Sequence, residues 1–299
     1  MVEGAAASET PERSWTIAFA TASYVAREIG YELDRWIFDD PVDPFLGGWR
    51  RCAAAVTEHF RPVSGFARHF DAILADIAAA GFEAVEIWGT HLSPAWATDE
   101  HIELAQQSLA RHRLTTVVYG ADFGATHAEA ARACEIANAL GSPILSTFPG
   151  PFLARDRRAA IELVRDQGLR MALENHPEHP TPEAFLEELG ADPFVGAIVD
   201  TGWWGTHGYD AAEAIRRLGD RIFHVHLKDV VRPGTHDPCI LGDGCVPIEA
   251  CLEALEDIGY EGAISLEYLS ANIDPTEACR VMREALLRDP RFDRGRRVS

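Results

Sequence analysis

Three carboxylates and an imidazole stand at or near the ends of four short apolar runs in the second half of the chain. Glu174 lies at the end of RMALEN, Asp200 closes GAIVD, His226 lies in IFHVHL and Glu267 in AISLEY. Together they form a hard, oxygen-rich donor set, suited to manganese or magnesium with positions left for substrate oxygens; structural zinc would favour sulfur and a closed tetrahedron. Any one of them alone could cap a helix or pair with an arginine. Converging, they would repel one another and take up protons unless a cation joined them. The set therefore predicts one divalent ion held by Glu174, Asp200, His226 and Glu267. Mn2+ is the expected ion, and Mg2+, Co2+ and Zn2+ fit the same donor types.

Other residues near these run ends carry chemistry of their own. Lys228 follows the histidine in HLKD, close enough to steady a developing oxyanion or a leaving group, with a local salt bridge as the alternative. His176 could bond a substrate hydroxyl or lend a proton, or could be a solvated loop histidine. His224, two residues before His226, shares its face and reads as a core neighbour. Trp88, Trp203 and Trp204 offer flat apolar faces to the C–H surface of a small ligand, although core packing is the simpler role for at least one. Cys239 and Cys245 flank the GDG turn without a matched base, which argues against a thiol nucleophile.

The elements that must position these groups alternate regularly. Eight short β-rich runs begin at Thr16, Ala84, Thr115, Pro143, Arg170, Gly196, Ile222 and Ala263. Helical patterns lie between them, at 66–80, 100–113, 128–140, 182–189 and 247–258. Asp71, Ile73, Leu74 and Ile77 before Gly81 predict an amphipathic helix ended by glycine, and Thr181-Pro182-Glu183 predicts an N-cap with proline in the first turn. Eight strand–helix alternations predict a single-domain α/β protein, a (β/α)8 TIM barrel with its site at the strand C-termini. An open doubly wound sheet is the runner-up, but the turn after the first strand, TASYVAREIG, lacks the glycine fingerprint. The barrel is expected over 16–288, with a flexible segment at 1–15 and a loose basic tail at 289–299. The long segment at about 24–62, with Trp36 and Trp49, is expected to cover the barrel mouth as a lid, or else to be a disordered insertion.

Composition narrows the partners. The formal charge is -20, from 27 Lys plus Arg against 47 Asp plus Glu. Nucleic acid and anionic lipid both need a cationic footprint, so no nucleic acid and no membrane partner is expected. No stretch approaches the roughly 18 consecutive apolar residues of a membrane helix. The first fifteen residues resemble neither a signal nor a transit peptide, so a cytoplasmic location is the expectation. Six cysteines without a paired spacing read as reduced thiols.

MALENH, IVDTGWW, HVHLKD and SLEY in that order, with LGDGCVPIE before the next helix, resemble the xylose-isomerase-like barrel superfamily of sugar phosphate isomerases and epimerases. The resemblance runs from about Thr16 to Arg288, with echoes of ketose 3-epimerases, hydroxypyruvate isomerases and inosose dehydratases. It implies that Glu174, Asp200, His226 and Glu267 are metal ligands, that Glu174 and Glu267 double as acid and base, and that His91 touches substrate. The implied substrate is a small sugar or polyol-derived ketone. The implied reaction is isomerisation or epimerisation by proton abstraction beside a carbonyl, through a metal-stabilised enediolate. The alternative is a lyase or dehydratase acting by elimination on an inosose-like or oxidised keto glycoside. Such barrels often form homo-oligomers or take a second subunit. Two features depart from the pattern: the segment FPGPFLARDRRAAIELVRDQG is short, implying a small or displaced fourth helix, and Trp203 stands where relatives often carry a histidine. The second feature counts against the endonuclease branch, which uses extra histidines for several metals.

Overall fold

A computed structural model describes residues 15–36, 48–147 and 150–292. Its strands are β1 (Ile17–Ala20), β2 (Ala84–Trp88), β3 (Thr115–Gly120), β4 (Ile144–Ser146), β5 (Arg170–Glu174), β6 (Val195–Asp200), β7 (Ile222–Leu227), β8 (Asp229–Val230), β9 (Pro238–Cys239) and β10 (Ile264–Leu266). Eight of these close a parallel barrel in the order β1-β10-β7-β6-β5-β4-β3-β2, while β8 and β9 form a small separate ribbon. Closure is made by β1 on β10, with Ile17 opposite Ile264 and Phe19 opposite Leu266. Barrel strands are covered on both faces, so their residues are apolar almost without alternation. That is why each appears in the sequence as a short apolar run.

Inside the barrel, Val118, Ile144, Ala172, Ile198 and Phe223 fill one layer. Phe223 fits because its neighbour Gly196 has no side chain; a Cβ there would overlap the ring. The Arg170 guanidinium lies 3.5 Å from the centre of the same ring. Gly196→Ala is therefore expected to destabilise the fold by roughly 1–3 kcal/mol through overpacking, read as a lower urea midpoint at unchanged slope.

Around the barrel, the helix Val63–Ala79 buries Phe66, Phe70, Ile73, Leu74 and Ile77, one stripe at helical spacing. It ends as expected at Gly81, whose φ is 87°. Thr181 caps Pro182–Leu189, its hydroxyl accepting from the Ala184 N–H. The expected small fourth helix is two pieces, Pro151–Arg155 and Arg157–Asp166. The break falls at Asp156, whose carboxylate caps the second piece by accepting from the Ala159 N–H.

Two residues at the edges of the expected loose segments are packed instead. Trp15 is buried and donates its indole N–H to the Tyr260 carbonyl at 2.8 Å. Phe292 sits edge-on to it, ring centres 5.4 Å apart. An aromatic pair at the barrel's N-terminal end outweighs the polar character of the flanking sequence, and at 289–291 of the expected tail Arg291 is ion-paired with Asp289 and Glu249; 1–14 and 293–299 lie outside the described residues.

The long segment after β1 is largely built rather than disordered. It makes short 3-10 turns at Thr21–Tyr24 and Arg27–Ile29 and the helix Trp49–Phe60. Trp36 donates its indole N–H to the Leu269 carbonyl at 2.7 Å, which ties the segment to the loop after β10. Residues 37–47, part of the expected lid, lie outside the described residues.

The turn GDG has a structural cause. The Asp229 carboxylate accepts from the N–H groups of Gly242, Gly244 and Val246 at 2.9–3.0 Å. A Cβ on Gly244 would collide with that carboxylate and with the Val230 carbonyl. The HLKD and GDG motifs are thus two halves of one loop clasp behind β7. All six cysteines are free thiols, and no described helix is long and apolar enough to cross a membrane.

Candidate metal centre

The C-terminal ends of β5, β6, β7 and β10 bring Glu174, Asp200, His226 and Glu267 together, one donor atom from each lying within 4.8 Å of the others. His226 Nδ1 is 3.2 Å from Glu174 Oε1 and 4.0 Å from Glu267 Oε2. Ligand atoms about 2.1 Å from a common octahedral ion stand about 3.0–4.2 Å apart, so the cluster has the right dimensions for one ion. Register sets the geometry: Asp200 pairs with His226 across β6 and β7, and Ser265, two residues before Glu267, pairs with His226 across β10.

Local structure holds each donor. Asn175 exchanges two hydrogen bonds with the Asp200 backbone, at 2.8 and 3.0 Å, and so locks the end of β5 to the end of β6. Asp200 Oδ1 accepts from the N–H groups of Gly202 and Trp203. Its other oxygen is left toward the cluster, where Lys228 Nζ lies 3.4 Å away. The same ammonium is 2.9 Å from Glu267 Oε2. Thr201 fixes the Lys228 backbone by accepting from its N–H at 3.0 Å and lying 2.7 Å from its carbonyl oxygen.

The crowded carboxylates and imidazole shift one another's protonation. Burial pushes Asp200 up to about 6 despite Lys228, with Glu267 and Glu174 adding to the rise. Burial likewise raises Glu174 against the pull of His226. Glu267 goes the other way, because Lys228 and His226 outweigh its burial. Burial disfavours a charged His226, but Glu86, Glu174 and Glu267 override it and hold the imidazolium well above its usual range. Groups whose folded pKa is raised contribute stability that is full below the unfolded pKa and lost as pH rises through the folded one. For Asp200 that window runs from the ordinary carboxylate range to about 6. An ion must displace these protons, so Mn2+ affinity is expected to fall as pH drops through about 6 and uptake to release protons. Calorimetric titration in buffers of different ionisation enthalpy measures the release. Binding that is independent of pH between 5 and 7 would contradict this account.

The donors open into a cavity lined by Trp49, Trp88, Trp203, His176 and Leu269, with Glu86, Glu174, His226 and Glu267 at its floor. Trp88, Trp203 and His176 are therefore where the sequence predicts. Burial pushes His176 down to about 4, and its Nε2 is 3.7 Å from Glu174 Oε2. Trp204 is wholly buried in the core.

Two expected site residues do not reach the cavity. His91 is buried beneath Trp88, its Nδ1 3.3 Å from the Thr21 hydroxyl and its ring against Phe60. The backbone turns after β2, with the His91 N–H on the Trp88 carbonyl, and this sends the ring into the outer layer. Lys228 is also absent from the cavity wall; fully buried, it sits behind Asp200 and Glu267 as their ion partner. Burial pushes the Cys239 thiol up to about 12, consistent with no nucleophilic role.

Sequence reasoning missed Glu86 and Ser146, which line the cavity; Trp49, from the segment expected over the barrel mouth, lines it as well. Glu86 had a signal: it is the one charged residue in the apolar run AVEIW. Ser146 carried none that separates it from an ordinary strand residue.

A (β/α)8 barrel with a carboxylate–histidine cluster at its C-terminal mouth defines the class. The chain belongs to the xylose isomerase-like TIM barrel family, whose model matches residues 74–288. It is 27% identical to a D-psicose 3-epimerase of Enterocloster bolteae over 64% of this chain and 74% of that one. An inosose dehydratase of Clostridium perfringens is 22% identical over 75% of this chain and 89% of its own. The structure of a D-tagatose 3-epimerase-like protein superposes with a TM-score of 0.57 at 26% identity, covering 71% of this chain and 91% of that one. The chain spans less than half, 45%, of an uncharacterised protein of Methanocaldococcus jannaschii at 32% identity.

Proposed function

We propose that this protein is a divalent-metal-dependent isomerase or epimerase of a small, unphosphorylated keto sugar. The observation that carries the reading is that Glu174 and Glu267 belong to the four-donor cluster and also line the tryptophan-walled cavity. Glu174, Asp200, His226 and Glu267 would hold the ion, Mn2+ or Mg2+ suiting the three carboxylates best. When bound, the ion supplies Lewis-acid polarisation of substrate oxygens. Glu174 and Glu267 stand on separate strands, so one carboxylate takes the proton beside the carbonyl and the other returns it to a different position or face. His176 is placed to bond a substrate hydroxyl. Trp49, Trp88 and Trp203 exclude water and meet the C–H face of the sugar.

Charge supports an unphosphorylated substrate. No lysine or arginine lines the cavity among the described residues, and 37–47 and 148–149 contain none in their sequence. A phosphate dianion there would meet carboxylates without a cationic side chain to bind it. Trp203→Leu is expected to raise KM roughly 5- to 30-fold, the equivalent of about 1–2 kcal/mol, with a smaller change in kcat. Steady-state kinetics on the accepted sugar check it.

A second reading is a dehydratase, favoured by the match to inosose dehydratase over most of both chains. Elimination needs a proton for the departing oxygen, and Glu174, which lines the cavity and which burial keeps protonated to higher pH, is the group placed to supply it. Incubating the Mn2+-loaded protein in deuterated water with unphosphorylated ketoses and inososes separates the two. Deuterium in recovered or epimerised sugar supports the isomerase, and an unsaturated product supports the dehydratase. Metal uptake without exchange on any of them would sink both.

A further inference from the structure

We propose that Glu86 is a positioning residue: it fixes the tautomer and orientation of His226 so that Nδ1 is the atom offered to the ion. The inference rests on the metal centre proposed above. Glu86 comes from β2, on the other side of the barrel from the four donors, and is 7% exposed. Both its oxygens approach His226 Nε2, at 3.0 and 2.9 Å.

A neutral imidazole carries one N–H. Carboxylates face both ring nitrogens; an ion held by Glu174, Asp200 and Glu267 needs the lone pair of Nδ1, so the one hydrogen sits on Nε2, where Glu86 accepts it. Nδ1 is the ring atom that faces Glu174 and Glu267. The opposite tautomer would aim an N–H at the ion's place and set the Glu86 charge against a lone pair. Glu86 is also held by His224, from the same strand as His226, whose Nε2 is 3.2 Å from Glu86 Oε2 and 2.7 Å from the Ser265 hydroxyl. A chain of contacts, Ser265 to His224 to Glu86 to His226, thus ends at a candidate ligand. The polar pair His224 and Glu86 within otherwise apolar strands is accounted for by this chain.

A carboxylate behind a ligating histidine orients the ring and raises its basicity, and losing it typically weakens metal binding roughly 10- to 100-fold. Glu86, His224 and His226 could instead hold a second ion through Nε2, since their donor atoms also cluster within 4.8 Å. Stoichiometry separates the two arrangements.

The test is Mn2+ titration of the full chain, with free ion followed by electron paramagnetic resonance, for wild type, Glu86→Gln and Glu86→Leu. Wild type is expected to bind one Mn2+ per chain, Glu86→Leu to bind roughly 10- to 100-fold more weakly, and Glu86→Gln to fall between, because its amide oxygen still accepts from Nε2–H. In the Mg2+-loaded wild type, 15N-histidine spectra are expected to show His226 protonated at Nε2 and bound at Nδ1. If Glu86→Leu does not fold, the isosteric Glu86→Gln and the wild-type histidine spectrum decide. Wild-type affinity in both variants, or a proton on Nδ1, overturns this proposal alone. Two ions in wild type with one lost in Glu86→Gln overturns it in favour of Glu86 as a ligand. A wild type that takes up no ion overturns both this and the metal-centre reading.

Discussion

Glu174→Gln and Glu267→Gln are each expected to lower proton exchange on the accepted sugar by roughly 10²- to 10⁴-fold at saturating Mn2+, the usual contribution of a positioned acid or base. The substitution keeps the side chain's shape and removes its capacity to take a proton. Both residues line the cavity, so no rearrangement is needed for them to reach substrate. Their surroundings differ: Glu174 is met by His226 and His176, whereas Glu267 is ion-paired to Lys228. Glu174→Gln is therefore the cleaner loss of a base. Glu267→Gln also releases the Lys228 ammonium, and is expected to cost more stability. Both variants should bind Mn2+ more weakly, which is why exchange is compared at saturation and metal content is measured alongside. Either variant exchanging at the wild-type rate with the ion bound would remove that carboxylate from the acid–base pair.

The second large effect is expected at Lys228. Its side chain is fully buried, with Nζ between Asp200 and Glu267. Removing one partner of a buried ion pair typically costs about 3–5 kcal/mol, because the remaining charge is left uncompensated. Lys228→Met keeps most of the stem, which matters because Gly202 packs so closely on it that a Cβ there would overlap the Lys228 stem. The metal-free variant is thus expected to melt well below wild type. Bound Mn2+ supplies positive charge to the same two carboxylates and stabilises the folded state by its binding free energy. Mn2+ should therefore recover part of the loss, and its melting-temperature increment should be larger in the variant than in wild type, by differential scanning calorimetry at pH 7. Equal losses with and without metal would make Lys228 a packing residue.

The position of Lys228 shows where sequence reasoning stops. Its closeness to His226 in HLKD suggested a group acting on substrate, but its ammonium is taken up by Asp200 and Glu267, and its side chain is buried off the cavity wall. His91 fails for a related reason, since three residues beyond β2 the chain has turned and the ring faces Thr21 and Phe60. Near a strand end, one step of backbone direction separates a cavity residue from a core one. Of the anticipated residues that line the cavity, Trp88 and His176 lie at or within two residues of a strand end, but Trp203 lies three beyond β6, as far as His91 lies beyond β2, so distance from the strand end alone does not decide.

By itself the sequence determined the eight strands, their closure into a barrel and the convergence of Glu174, Asp200, His226 and Glu267. Those follow from local properties: doubly covered strands are apolar runs, and parallel strands joined by helices bring all their C-terminal ends to one face. Only the tertiary structure decided which groups stand behind that row. Glu86 meets His226 from 140 positions away in sequence, and Trp36 meets Leu269 from 233. Contacts of that separation depend on barrel register and on how a long segment folds back, and neither is encoded in any local pattern of residues.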